Sequence, residues 1–149
     1  MQSLLNINDY LVEELQVRAN PEYKKGKEDK GEITTSFGIK RKGKESLFMV
    51  QMKIELNKSE KAFSVAPYYI YLDITGFFSF AEGTDEETVK KMIGLNGPVI
   101  LYGVARGVVA QATANFRYGK FVLPTINFVE TMREEAQKNK TSARRKKGS

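Results

Sequence analysis

The chain contains no cysteine, no histidine and no tryptophan. Without cysteine there are no disulfides, thiolate nucleophiles or sulfur ligands for zinc, and without histidine no imidazole serves as a catalytic base. An enzyme would have to work with carboxylates, lysines and tyrosines alone, and no cofactor or metal is expected. The redox compartment cannot be read from cysteine pairing. Long apolar runs are also missing. No uninterrupted apolar stretch reaches 18 residues, and the start MQSLLNINDYLVEE lacks a basic region followed by an apolar core. Neither membrane insertion nor a secretory leader is expected, and the cytoplasm is the expected location.

What is present is enough for one core. The chain has 149 residues, of which 41% are apolar, and a formal net charge of +6. The charge is uneven. Lys138, Lys140, Arg144, Arg145, Lys146 and Lys147 form a basic tail without acids, whereas residues 1–137 balance 18 bases against 18 acids. The expected organisation is one domain over 1–137 and a disordered basic tail over 138–149.

Apolar and polar residues alternate in four places. Residues 7–19 suit a half-buried strand with Leu11, Leu15 and Val17 on one parity and a bulge near Glu13, followed by a charged connecting loop over 20–32. Ile33, Thr35, Phe37 and Ile39 mark a second strand, and Phe48, Val50, Met52, Ile54 and Leu56 mark the third and clearest. Residues 57–61 read as a turn. Residues 67–80 form the fourth strand, where Gly76 marks an interruption through a bulge or a close backbone approach. Four strands in series predict one antiparallel sheet.

The remainder is helical, which makes the fold class α+β: a four-stranded antiparallel sheet, then a long helix and a C-terminal helix. Thr84 and Glu87 have the spacing of a capping box. Asn96-Gly97-Pro98 is expected to end that helix and start a second one over about 98–115. On it, Gly103, Gly107, Ala110 and Ala114 form a stripe of small residues that suits close contact with a sheet or another helix. Residues 121–128, FVLPTINF, are an apolar loop around Pro124, unusual because loops are ordinarily polar. A last helix begins at Phe128.

Three stretches carry a family resemblance: INDYLVEELQVRANP (7–21), YLDITGFFSF (71–80) and GPVILYGVARGVVAQATANFRYGKFVLPTINF (97–128). Together they make the chain resemble the SecB export chaperones. The resemblance implies an ATP-independent holdase, assembled as a homotetramer of two dimers with sheets outside and long helices between them. It assigns the oligomer interface to the stripe of Gly103, Gly107, Ala110 and Ala114. It implies client binding along apolar grooves by Phe48, Val50, Tyr68, Phe77, Phe78, Phe121, Val122, Leu123, Pro124, Ile126, Phe128 and Met132. The family's acidic flank for the SecA motor falls on Glu14, Arg18, Tyr69 and Tyr71, where Arg18 reverses a charge and Tyr71 removes one. Attraction to SecA should therefore be weakened. A second branch of the family serves toxin–antitoxin–chaperone systems by holding an unstable antitoxin, and loss of the motor flank suits that branch. The expected partners are thus an aggregation-prone client, either an antitoxin or a secretory precursor, and a toxin–antitoxin complex.

Blander readings stand beside these. FVLPTINF could be core that closes the sheet. The basic tail admits a solubility role, a nucleic-acid contact or a partner contact, although no aromatic is interleaved in it to stack on bases. GLNGPVILYG is no phosphate loop, because no GKS or GKT follows. The acids Asp85, Glu86 and Glu87 suit a helix start, and Glu130, Glu134 and Glu135 lack a companion nucleophile. A non-chaperone adaptor that binds one folded partner is the remaining alternative.

Overall fold

The structure is a computed structural model that describes residues 3–25, 31–43 and 45–130. Strands β1 (Leu5–Ala19), β2 (Ile33–Arg41), β3 (Leu47–Leu56) and β4 (Tyr68–Phe80) form one antiparallel sheet in the order β1-β4-β3-β2. Helix α1 (Glu60–Ser64) lies in the β3–β4 connection, and helix α2 (Glu86–Thr113) crosses one face of the sheet. A further helix begins at 128–130, at the end of the described residues.

The sheet's two faces follow from strand parity. Val50, Met52, Ile54 and Leu56 of β3 and Ile70, Leu72 and Ile74 of β4 are at most 2% exposed. They meet Val89, Ile93, Leu101, Ala105 and Val109 of α2 to form the core. Burying each of the Val, Leu, Ile and Met side chains contributes about 1.5–3 kcal/mol. The alternate residues, among them Gln51, Lys53, Tyr69, Tyr71 and Asp73, occupy the opposite, open face.

The bulge at Glu13 is present, and a second lies at Asn8. Its effect is to split residues of like parity. Leu11 pairs with Thr75 on the open face, whereas Leu15 pairs with Leu72 on the helix side, joined there by Val12 opposite Ile74.

Gly76 does not interrupt β4, but the close approach is real. A Cβ there would lie 2.8 Å from Phe78 Cε2 and 2.9 Å from Leu101 Cδ1. Glycine there leaves room for the tips of Phe78 and Leu101 between the strand and α2.

Three local expectations are corrected. Residues 57–61 are not merely a turn, because Ser59 accepts from the Ala62 N–H at 3.1 Å and caps α1. The long helix starts one residue later than Thr84. Its N-cap is Asp85, which accepts from the Thr88 N–H at 3.1 Å, while the Thr84 hydroxyl donates to the Ala81 carbonyl. Hydrogen bonds from Thr88 hold the Asp85 carboxyl below its ordinary pKa. Nor does Asn96-Gly97-Pro98 end a helix. Pro98 sits inside α2 and removes one backbone donor, yet Val89 and Ile93 before it and Leu101 and Tyr102 after it are buried on the same side. Packing of both halves on one sheet outweighs the local break.

Helix α2 is long and apolar enough to cross a bilayer by length and composition, although Arg106 interrupts its apolar sequence. Here it buries one side on the sheet, as a core helix does.

Candidate functional site

The loop after α2 is held at several points. Thr113 Oγ1 accepts from the Phe121 N–H at 2.8 Å, and Arg106 Nε donates to the Leu123 carbonyl at 3.0 Å. The Tyr102 hydroxyl donates to the Pro124 carbonyl. Tyr68 accepts from the Tyr118 N–H and donates to the Gly119 carbonyl, each at 2.9 Å. Gly119 has φ 78°, which its lack of a Cβ permits. Rings of Phe116, Tyr118 and Phe121 surround Tyr68 edge-on at 6.1, 5.8 and 6.2 Å. An apolar loop is thereby fixed to the scaffold by its backbone, leaving selected side chains free.

Those side chains open a groove. Leu123 is fully buried and Phe128 is 4% exposed, so both anchor the loop in the core, while Val122 is 50% exposed. Phe121, Val122, Pro124 and Ile126 line a groove of about 490 Å³ with Tyr23, Ile33, Leu56, Asn57, Val65, Ala66 and Pro67. Asn57 shapes its floor. With φ 60°, it donates from Nδ2 to the Tyr68 carbonyl at 2.8 Å and accepts from the Glu32 N–H at 3.0 Å.

A second groove, of about 520 Å³, lies at the β2–β3 turn and is lined by Asn8, Lys40, Arg41, Lys42, Leu47, Phe48, Met49, Phe77 and Phe78. Arg41 forms a bidentate pair with Glu86 at the start of α2 and lies 5.1 Å from the Phe48 ring centroid. Hydrogen bonding to Arg41 holds the Glu86 carboxyl below its ordinary pKa.

The twelve residues singled out for apolar binding thus fall into distinct places. Phe121, Val122, Pro124 and Ile126 converge on the first groove; Phe48, Phe77 and Phe78 converge on the second. Val50, Tyr68, Leu123 and Phe128 belong to the core and line neither. Met132 lies outside the described residues, as do Glu134, Glu135 and the tail. The sequence reading missed Lys40, Lys42, Leu47 and Met49 in the second groove and Tyr23, Val65 and Pro67 in the first. A signal existed for Met49, which is apolar at a parity position that otherwise carries charge or amide on β3.

Glu14, Arg18, Tyr69 and Tyr71 do share the sheet's open face, where Glu14 faces Asp73 and Arg18 faces Tyr69 across β1 and β4. Arg18 is held against aromatics, its guanidinium 4.8 Å from the Phe63 centroid and 5.4 Å from that of Tyr69. The Tyr69 hydroxyl donates to Glu55 at 2.6 Å, and partial burial together with that bond pushes its phenol up to about 12.

Gly103, Gly107 and Ala114 are exposed and Ala110 is half-buried. A Cβ at Gly103 or Gly107 would meet nothing within 4 Å, and the stripe looks away from the core. The acids at the start of α2 have structural duties: Asp85 caps, Glu86 pairs with Arg41 and Glu87 pairs with Lys91 at 3.4 Å. Among the described residues no cluster of acids suits a metal ion.

The fold resembles a solved structure, the Mycobacterium tuberculosis Rv1957 SecB-like chaperone in complex with a ChAD peptide from the Rv1956 HigA1 antitoxin. The TM-score is 0.62 at 15% identity, covering 83% of this chain and 91% of that one. No curated protein sequence matches significantly. The family described as preprotein translocase subunit SecB matches residues 3–139. That span takes in the whole sheet, the long helix and the anchored loop, and the chain belongs to the SecB family.

Proposed function

We propose that this protein is a cytoplasmic, ATP-independent holdase that keeps a non-native polypeptide from aggregating by seating its apolar segments in the two grooves. The observation that carries this reading is the anchored loop. Side-chain bonds of Tyr102, Arg106 and Thr113 to its backbone fix it, yet Val122 remains half exposed on a groove lined mainly by apolar side chains. Apolar side chains held open to solvent gain free energy by covering themselves with an unfolded chain. Core residues such as Val50 and Leu123 then support the grooves without touching the client.

Membership of the family and the outward small-residue stripe of α2, open to another copy, support assembly as a homotetramer. The client we favour is an antitoxin. The Mycobacterium tuberculosis relative binds such a peptide, and Arg18 together with the uncharged Tyr71 weakens the flank through which export chaperones meet SecA. General export is the second reading, favoured by the acids Glu14, Glu55 and Asp73 that remain on that face.

The test is suppression of aggregation of an unfolded client by wild-type protein and by the Val122→Ser/Ile126→Ser and Phe77→Ser variants, with circular dichroism and assembly mass recorded alongside. Loss of holding with fold and mass unchanged is expected. Full retention by both variants would overturn the groove reading. Capture of the chain's genomic neighbours in preference to SecA separates the antitoxin reading from export.

A further inference from the structure

The two grooves differ in charge, and that difference bears on what each accepts. The first has no charged residue in its lining. The second carries Lys40, Arg41 and Lys42 along one rim and no acid. Arg41 is committed to Glu86, but Lys40 and Lys42 are exposed and stand beside an apolar floor of Leu47, Met49 and Phe77. Asp9, opposite Phe77 on β1, lies outside the lining and accepts from the Tyr10 N–H. We propose that the groove at the β2–β3 turn selects apolar peptide segments flanked by acidic residues. This deepens the holdase reading and rests on it.

The physical argument is one of position. Lys40 pairs with Met49 in the β2–β3 register, Met49 with Phe77 in the β3–β4 register and Phe77 with Asp9 in the β1–β4 register, so one row on the open face runs from a cation at the groove's rim through two apolar side chains to an acid outside the groove. A client side chain seated on Met49 and Phe77 places its neighbours in sequence one residue, about 3.3 Å, further along. Its next carboxylate falls well within the screening length of about 8 Å from Lys40 or Lys42 at physiological salt. A basic flank placed there is repelled. A neutral flank is indifferent.

The experiment titrates the full-length protein with fluorescent peptides that share one aromatic–aliphatic core and differ in carrying two glutamates, two lysines or two serines beside it. The acidic peptide should bind about tenfold more tightly than the basic one at low salt, because two attractive contacts in one become two repulsive ones in the other. The preference should shrink at high salt and invert in Lys40→Glu/Lys42→Glu. The Lys40→Ala/Lys42→Ala variant should abolish it without inversion, as a milder check on folding. Equal affinity for all flanks, or a preference untouched by charge reversal, would overturn the inference. So would an oligothymidine that displaces the acidic peptide while binding more tightly, because the rim would then be a nucleic-acid site. Aggregation suppression measured on the same preparations keeps the two levels apart: holding with no flank preference sinks only the charge selection, and no holding sinks the holdase reading as well.

Discussion

The Tyr102 hydroxyl donates to the Pro124 carbonyl, joining the middle of the long helix to the middle of the apolar loop. Tyr102→Phe deletes that bond while keeping the ring, which packs on Phe128 at 5.4 Å. We expect a loss of about 1 kcal/mol of stability by denaturant titration. Faster amide exchange over 121–127 and weaker client holding should accompany it, because the groove wall is no longer fixed.

Alkaline pH should loosen the same contact. Burial pushes the Tyr102 phenol up to about 12, against the opposing influence of Arg106, and Tyr69 is likewise raised to about 12. In the unfolded chain tyrosine ionises near pH 10, so between about 10 and 12 the folded state retains protons that the unfolded state has lost. Stability contributed by these phenols is complete below about pH 10 and falls as pH rises towards 12. Phenolate absorbance should show late-ionising tyrosines, with one fewer in Tyr102→Phe.

Gly76→Ala is expected to destabilise by about 1–3 kcal/mol, as overpacking does. The new methyl would meet Phe78 and Leu101 at under 3 Å, in the layer where β4 supports α2. Chemical denaturation measures this directly. A change within a few tenths of a kcal/mol would mean that the tips of Phe78 and Leu101 move aside to admit the methyl.

Asn57→Ala removes two hydrogen bonds at a residue 2% exposed and leaves alanine in the left-handed region. The expected cost is about 2–4 kcal/mol. Asn57→Gly should recover part of it by relieving the backbone but none of the lost bonds.

Gly103→Ala/Gly107→Ala separates two roles for the outward stripe. Inside a single chain the added methyls meet nothing within 4 Å. Relative to glycine they should strengthen the helix by about 1 kcal/mol at each position. If another copy packs there, the assembly should weaken instead, and sedimentation read beside the melting midpoint distinguishes the outcomes.

Much of the fold was legible because strand alternation is a direct record of which face is buried. β3 reads correctly from Phe48 to Leu56, since it is a central strand with one covered face and no bulge. β1 was harder: the bulge at Glu13 reverses the faces partway, so Leu11 and Leu15 look equivalent in sequence and are not. Pro98 misled for a different reason. Proline reports a local preference, and the buried residues on either side of it make a longer-range demand that prevails.

The candidate site was legible in composition and less so in detail. FVLPTINF announces itself as too apolar for a loop, but alternation within it decides which residues anchor and which are offered: Leu123 goes inward and Val122 outward. Leu123→Ser would therefore test folding rather than binding. The cationic rim escaped notice because charge between two strands has no visible neighbour in the sequence until β2–β3 pairing sets Lys40 beside Met49.

The strand order β1-β4-β3-β2 also imposes a wait. β1 is complete at Ala19, but the strand it pairs with among the described residues is complete at Phe80, roughly sixty residues later. At about 5–20 residues per second, synthesis leaves a 15-residue strand without its neighbour for about 3–12 s. Tyr10, Leu11, Val12 and Leu15, which stay substantially exposed even in the finished sheet, are in that strand. For those seconds at the ribosome the nascent chain has the same problem, an unpaired and apolar segment, that the proposed holdase activity would relieve in others.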